Sequence, residues 1–166
     1  MVQTGLPTAT VSNNWTVTSS PSAHEALASS SDSSLIETNI VGETCRVNIY
    51  SLTDPVSSID HIIKFRGQAT GSGGGEKVKV LLFEGATQRA ISGKISLTRG
   101  SFNPFSYTLT AVEADSISDY TDLRIEILAD TVGGTELLEI SEIFLEIPDA
   151  PAGGGDNEPE YAEVSA

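Results

Sequence analysis

Nucleophilic catalysis needs a base beside the nucleophile, and this chain has two histidines for the role, His24 and His61. His24 lies in a serine-rich stretch. His61 falls in an alternating run, in phase with Ile59 and Ile63, the setting of a core or inter-strand residue. No Gly-x-Ser-x-Gly elbow occurs, and two histidines so far apart do not compose a zinc site. Cys45 is the single cysteine, so no disulfide closes within the chain; sharing its phase with Val47 and Ile49, it reads as a small buried apolar residue. The run Gly71 to Gly75 before Lys77 departs from a phosphate-binding loop, because Glu76 precedes the lysine and Val78 follows it.

Two other groups of residues carry possible chemistry. Asp115, Asp119 and Asp122 cluster between two strand-like runs and present the oxygens calcium prefers, but their spacing matches no calcium-binding repeat, and a solvated loop is expected. Pairs of carboxylates for glycoside hydrolysis arise by chance in so acidic a chain. No catalytic residue, cofactor or metal is expected. The aromatics offer binding chemistry instead: Trp15 and Tyr50 first, then Tyr107 and Tyr120, are the candidates for stacking on sugar rings. Asn14-Trp15-Thr16 is formally a glycosylation sequon and is read as coincidence.

The elements that must position these residues have a period of two. Cys45, Val47 and Ile49 alternate with Arg46, Asn48 and Tyr50; the same holds for residues 59–69, 77–83, 105–111 and 122–129. From Leu137 to Ile147 the phase changes, which predicts a β-bulge near Ser141. Shorter strands are expected at 15–18, 35–38 and 90–97, and one helical turn within 22–29. The expected fold is an all-β, single antiparallel sandwich of jelly-roll-like form, with about eight or nine strands and flexible termini.

The chain has 166 residues and a formal charge of -14. Eight of its nine basic residues lie between Arg46 and Arg99, whereas from Gly100 onward fifteen acids face one base. Nucleic acid is not an expected partner, since affinity for a phosphate backbone comes from clustered Lys and Arg. Nor is a membrane: no apolar run approaches the roughly 18 residues of a spanning helix, and the first ten residues lack the pattern of an export signal. The organisation expected is an N-terminal arm (1–12), a sandwich domain (13–148) and an acidic flexible tail (149–166). Leu6, Pro7, Val11 and Trp15 are the candidate partner-binding residues, with the arm adding to a neighbour's sheet edge.

The order of features resembles a family of small virion proteins of tailed bacteriophages. The resemblance rests on Asn14-Trp15-Thr16-Val17, on His24-Glu25-Ala26-Leu27 leading to Asp32-Ser33-Ser34-Leu35-Ile36-Glu37, on Thr121 to Glu126, and on Ile140 to Ile147. Leu35 stands where an aromatic is common, and Asp119-Tyr120 where a Trp often precedes the late strand. It implies a non-enzymatic decoration (cement) protein on the capsid surface, bound outside the major capsid protein lattice or to other virion proteins, with self-association as a further partner mode. A head or tail fibre or tail-tip module that binds host glycans is the alternative.

Overall fold

Runs that alternate apolar with polar side chains have one face to bury and one to leave in water. The computed structural model, which describes residues 1–72 and 75–151, pairs those runs into two antiparallel sheets packed as a sandwich. In chain order the elements are β1 (Val2–Gly5), β2 (Pro7–Asn13), β3 (Thr16–Thr18), α1 (Ala23–Leu27), β4 (Leu35–Thr38), β5 (Thr44–Ile49), β6 (Ile62–Ala69), β7 (Lys77–Glu84), β8 (Thr87–Ile91), β9 (Ile95–Ser96), β10 (Asn103–Thr108), α2 (Ala111–Asp115), β11 (Leu123–Thr131) and β12 (Leu138–Pro148). Sheet A runs β10-β6-β12-β4-β3, with β1 also on β12. Sheet B runs β2-β5-β11-β7-β8, with β9 also on β7.

The inward phases meet as one apolar core, built on Val47 and Ile49 from β5, Ile63 and Phe65 from β6, Val80 and Leu82 from β7, Ile125 and Ile127 from β11, and Ile143 and Leu145 from β12. Phe65 stacks on Phe105 with ring centroids 5.3 Å apart. The phase change in β12 is the expected bulge: its register against β6 shifts between Ile140 and Glu142, which buries Ser141 and lets both halves of the strand bury their apolar residues. The helical turn is α1. Ser22 caps it by accepting from the Glu25 amide, and Ala23, Ala26 and Leu27 plug the sandwich against β2, β4 and β12.

Four sequence expectations are corrected. Residues 1–12 are not a free arm: β1 pairs with β12 and β2 with β5, because Gly5 and Pro7 are buried and an added Cβ at Gly5 would lie 3.0 Å from Ile49 and 3.2 Å from Leu52. The run 90–97 divides into β8 and β9, since the Ser92 hydroxyl accepts the Val80 amide in place of a regular ladder. With β1 and β2, this brings the count to twelve described strands. The run 105–111 stops at Thr108. There Thr110 and Glu113 form a reciprocal capping box that starts α2. The run 59–69 begins at Ile62, because Asp60 has φ of 59° and turns Ile59 outward into solvent. Of the expected tail 149–166, residues 152–166 lie outside the described residues.

Candidate functional site

The residues with catalytic potential are each tied up in structure. His61 is buried, its Nε2 2.8 Å from the Tyr120 hydroxyl and its Nδ1 3.1 Å from the Ile59 carbonyl oxygen. Desolvation pulls its pKa below the ordinary histidine value, against the opposing pull of Asp54, Asp60 and Asp115. His24 Nδ1 sits between the hydroxyls of Thr10 and Ser22, at 3.1 and 2.9 Å. Cys45 is buried, and desolvation followed by the charge of Glu126 pushes its thiol up to about 12. The three aspartates diverge: Asp119 accepts from the amide and hydroxyl of Thr121, Asp122 pairs with Arg124 at 3.1 Å, and Asp115 faces a cavity beside Tyr120.

The four aromatic candidates separate sharply. Trp15 is 3% exposed, part of the core, with its backbone bracketed by the Asn13 amide. Tyr120 is 7% exposed beneath His61. Tyr107 is half-buried and donates to Glu113; desolvation and that carboxylate raise its pKa to about 12. Tyr50 alone of the four stands free, 65% exposed. It follows β5 in the outward phase of Arg46 and Asn48, and its backbone amide donates to the Leu6 carbonyl at 2.8 Å, which anchors the backbone that carries the ring at the end of sheet B.

Beside the ring lies a cavity of about 250 Å³, lined by Thr8 from β2, Asn48 and Ser51 flanking Tyr50, and Thr121 and Asp122 leading into β11. Its walls are hydroxyl, amide and carboxylate. Asn48 is the cross-strand partner of Arg124. The Oδ1 atom of Asn48 and the Nε atom of Arg124 are both buried without a hydrogen-bond partner, an acceptor and a donor on one row of the sheet. Farther along this face Arg46 stacks 3.6 Å over the Phe83 ring and pairs with Glu126 at 2.8 Å, which roofs the apolar outward residues of β7.

No protein-family model and no curated protein matches the chain by sequence. By structure it is similar to a family 35 carbohydrate-binding module from an environmental isolate, at 13% identity and a TM-score of 0.53, over 90% of this chain and 99% of that one. It is likewise similar to the xylan-binding module CBM15, at 12% identity and a TM-score of 0.53, over 91% of this chain and 99% of that one. The likeness is one of fold. It places the chain among jelly-roll sandwiches, the architecture that its strand pattern predicts.

The candidate partner-binding residues divide by burial. Leu6 and Val11 are exposed, Pro7 and Trp15 buried, so only the first two can meet another molecule. Sequence reasoning reached Tyr50 as one of four aromatics but missed Thr8, Asn48 and Thr121. The signal was available for Asn48, which shares the outward phase of Tyr50 two residues away.

A second concavity, of about 460 Å³, lies on the outward face of sheet A. Two rows cross it in register: Ser106, Lys64 and Phe144, then Pro104, Arg66 and Glu142. Lys64 reaches both oxygens of Glu146 at 2.8 Å, and Arg66 grips Asp32 with two bonds of 2.7 and 2.8 Å. That grip holds the Asp32 carboxyl below the usual carboxylate range.

Proposed function

We propose that this protein is a non-catalytic glycan-binding sandwich, with Tyr50 as its stacking platform. The observation that carries the reading is the contrast among the four aromatics: three are buried or tied by hydrogen bonds, while Tyr50 is free beside a polar cavity. A tyrosine ring can lie on the apolar face of a sugar while short polar side chains bond the hydroxyls at its edge. Thr8, Asn48, Ser51, Thr121 and Asp122 supply those groups, and a cavity of about 250 Å³ suits one sugar residue. The two sandwiches of similar fold carry names that specify carbohydrate and xylan binding, which supports a glycan as the ligand here. The test is a glycan array probed with the native protein and with Tyr50→Ala. Because the ring is exposed, the variant should stay within about 0.5 kcal/mol of native stability. Signals should appear for the native protein and vanish for the variant; an array blank for both, or equal for both, removes the reading.

A second reading, a decoration protein on the outside of a phage capsid, is supported by exposed Leu6 and Val11 at the sheet B edge, where β2 pairs only with β5 among the described strands. Addition of a neighbour's strand there would cover both. Cosedimentation of the native protein, but not of Leu6→Asp with Val11→Asp, with purified capsids would support it; equal pelleting of both would not.

A further inference from the structure

The cavity beside Tyr50 has a single ionised side chain in its lining, Asp122. The backbone that presents this carboxylate is held on both sides: the Asp122 amide donates to the Asp119 carbonyl at 3.4 Å, and the Asp122 carbonyl accepts from the Gly85 amide at 2.9 Å. The two carboxylate oxygens differ. Oδ1 accepts from Arg124 Nη2 at 3.1 Å, whereas Oδ2 has no hydrogen-bond partner among the described residues. Oδ2 lies 3.1 Å from the place a Cβ would take at Gly85, so the glycine leaves that oxygen its room. The side chain is 50% exposed, open to a molecule entering the cavity.

Arg124 is the cation that would have to receive an anionic ligand, since it is the only base from Gly100 onward. It is poorly placed for that task. Arg124 does not line the cavity, its Nη2 is occupied by Asp122, and its Nε is buried without a partner. The other cations of sheet B nearest in the sequence of pairs, Arg46 and Arg89, are closed onto Glu126 and Glu84. Asp119 adds a further carboxylate, bonded to Thr121 alone. A sugar on the Tyr50 ring therefore meets a negative rim. Its hydroxyls can donate to the open Oδ2 of Asp122 in charge-assisted bonds, roughly twice as strong as neutral ones, whereas a carboxylate on the sugar would be repelled. We propose that the Tyr50 site selects neutral glycans over acidic ones, with Asp122 as the residue that sets the preference: its Oδ2 accepts ring hydroxyls and its charge turns away uronate and sialate groups. This selectivity rests on the glycan-binding reading above and narrows its ligand class.

The test is an array on which acidic oligosaccharides stand beside their carboxyl-reduced counterparts: oligogalacturonides, xylo-oligosaccharides with a glucuronic acid branch, and sialyllactose. Each pair keeps its rings and linkages and differs in charge. The array is probed with the native protein, Asp122→Asn and Tyr50→Ala. For any pair that the native protein binds, the acidic member should bind about tenfold more weakly, and the gap should narrow as salt rises from about 20 to 500 mM. Asp122→Asn keeps the shape of the side chain and an acceptor for Arg124 while removing the charge. It should weaken the neutral member and tighten the acidic one, so that the preference disappears or reverses. Equal or stronger binding of the acidic member by the native protein, lost in Tyr50→Ala, would keep the site and overturn the inference. A preference unchanged in Asp122→Asn would overturn it as well, because charge at residue 122 would then not set it. Binding that persists in Tyr50→Ala, or an array blank for the native protein, would remove the site and the inference with it.

Discussion

Replacement of Trp15 by Ala separates a core residue from a binding platform, and the structure sets the size of the effect. The indole is 3% exposed and packs in the same cluster as Leu27 and Ile36. Truncating a buried Trp to Ala costs about 3–5 kcal/mol, lost transfer energy plus the cavity left behind. With a urea m-value near 2 kcal/mol/M, the unfolding midpoint should fall by about 1.5–2.5 M. Trp15 also carries its own penalty, because Nε1 is buried without a hydrogen-bond partner. An unmet donor costs about 1–3 kcal/mol, a penalty that the alanine and phenylalanine changes both remove; Trp15→Phe, which keeps most of the ring, should therefore cost less than the alanine change because it leaves the smaller cavity. Trp15 is the only Trp, so unfolding must be followed by far-UV circular dichroism rather than indole fluorescence. An alanine variant with an unchanged midpoint would refute the assignment of Trp15 to the core, and loss of glycan binding in that same folded variant would make it the platform instead of Tyr50.

Three further outcomes follow from packing and charge. Gly67→Ala should destabilise by about 1–3 kcal/mol, because its Cβ would lie 2.7 Å from Ile140 Cδ1 and 2.9 Å from the Glu139 carbonyl oxygen, an atom of the neighbouring backbone that cannot step aside. Gly93→Ala meets nothing within 4 Å and should raise stability by about 0.4–1 kcal/mol; thermal melts of the two variants check both signs. His61 has its folded pKa below its unfolded value, so the unfolded chain takes up the proton first and stability falls as pH drops from about 6.5 toward the folded pKa. Urea midpoints at pH 7.5 and 5.5 should differ less in His61→Gln than in the native protein, and an unchanged difference would contradict the buried neutral assignment.

Most of the sandwich was legible because its central strands bury one face and wet the other. Cys45, Val47 and Ile49 went inward, and the phase slip at Ser141 announced its bulge. The same alternation put Tyr50 outward. What it could not show was which aromatic lay free, since Trp15 and Tyr120 sit in short or irregular segments whose burial depends on α1 and on the loop from Tyr50 to His61. Strands β1 and β2 were missed for a related reason. Along an edge a strand needs only an occasional buried residue, here Gly5 and Pro7, and its Thr, Ala and Ser leave no apolar rhythm to detect. Helix α2 was missed although Thr110 and Glu113 spell a capping box, because Leu109 and Ala111 continued the preceding alternation. The turn at Asp60 and the positive φ of Val56, which shape the loop beyond Tyr50, come from local side-chain bonds such as Asp54 to the Val56 amide at 2.7 Å. No periodicity encodes them.

The most direct test of glycan binding at Tyr50 is a titration of the isotope-labelled protein with the best soluble oligosaccharide from the array, followed residue by residue through amide chemical shifts. Saturable shifts should concentrate at Thr8, Asn48, Tyr50, Ser51, Thr121 and Asp122, the lining of one cavity contributed by three separate stretches of chain, and should be absent in Tyr50→Ala. Shifts confined to Lys64, Arg66 and Phe144 on the opposite sheet, or no saturable shifts at all, would contradict the account.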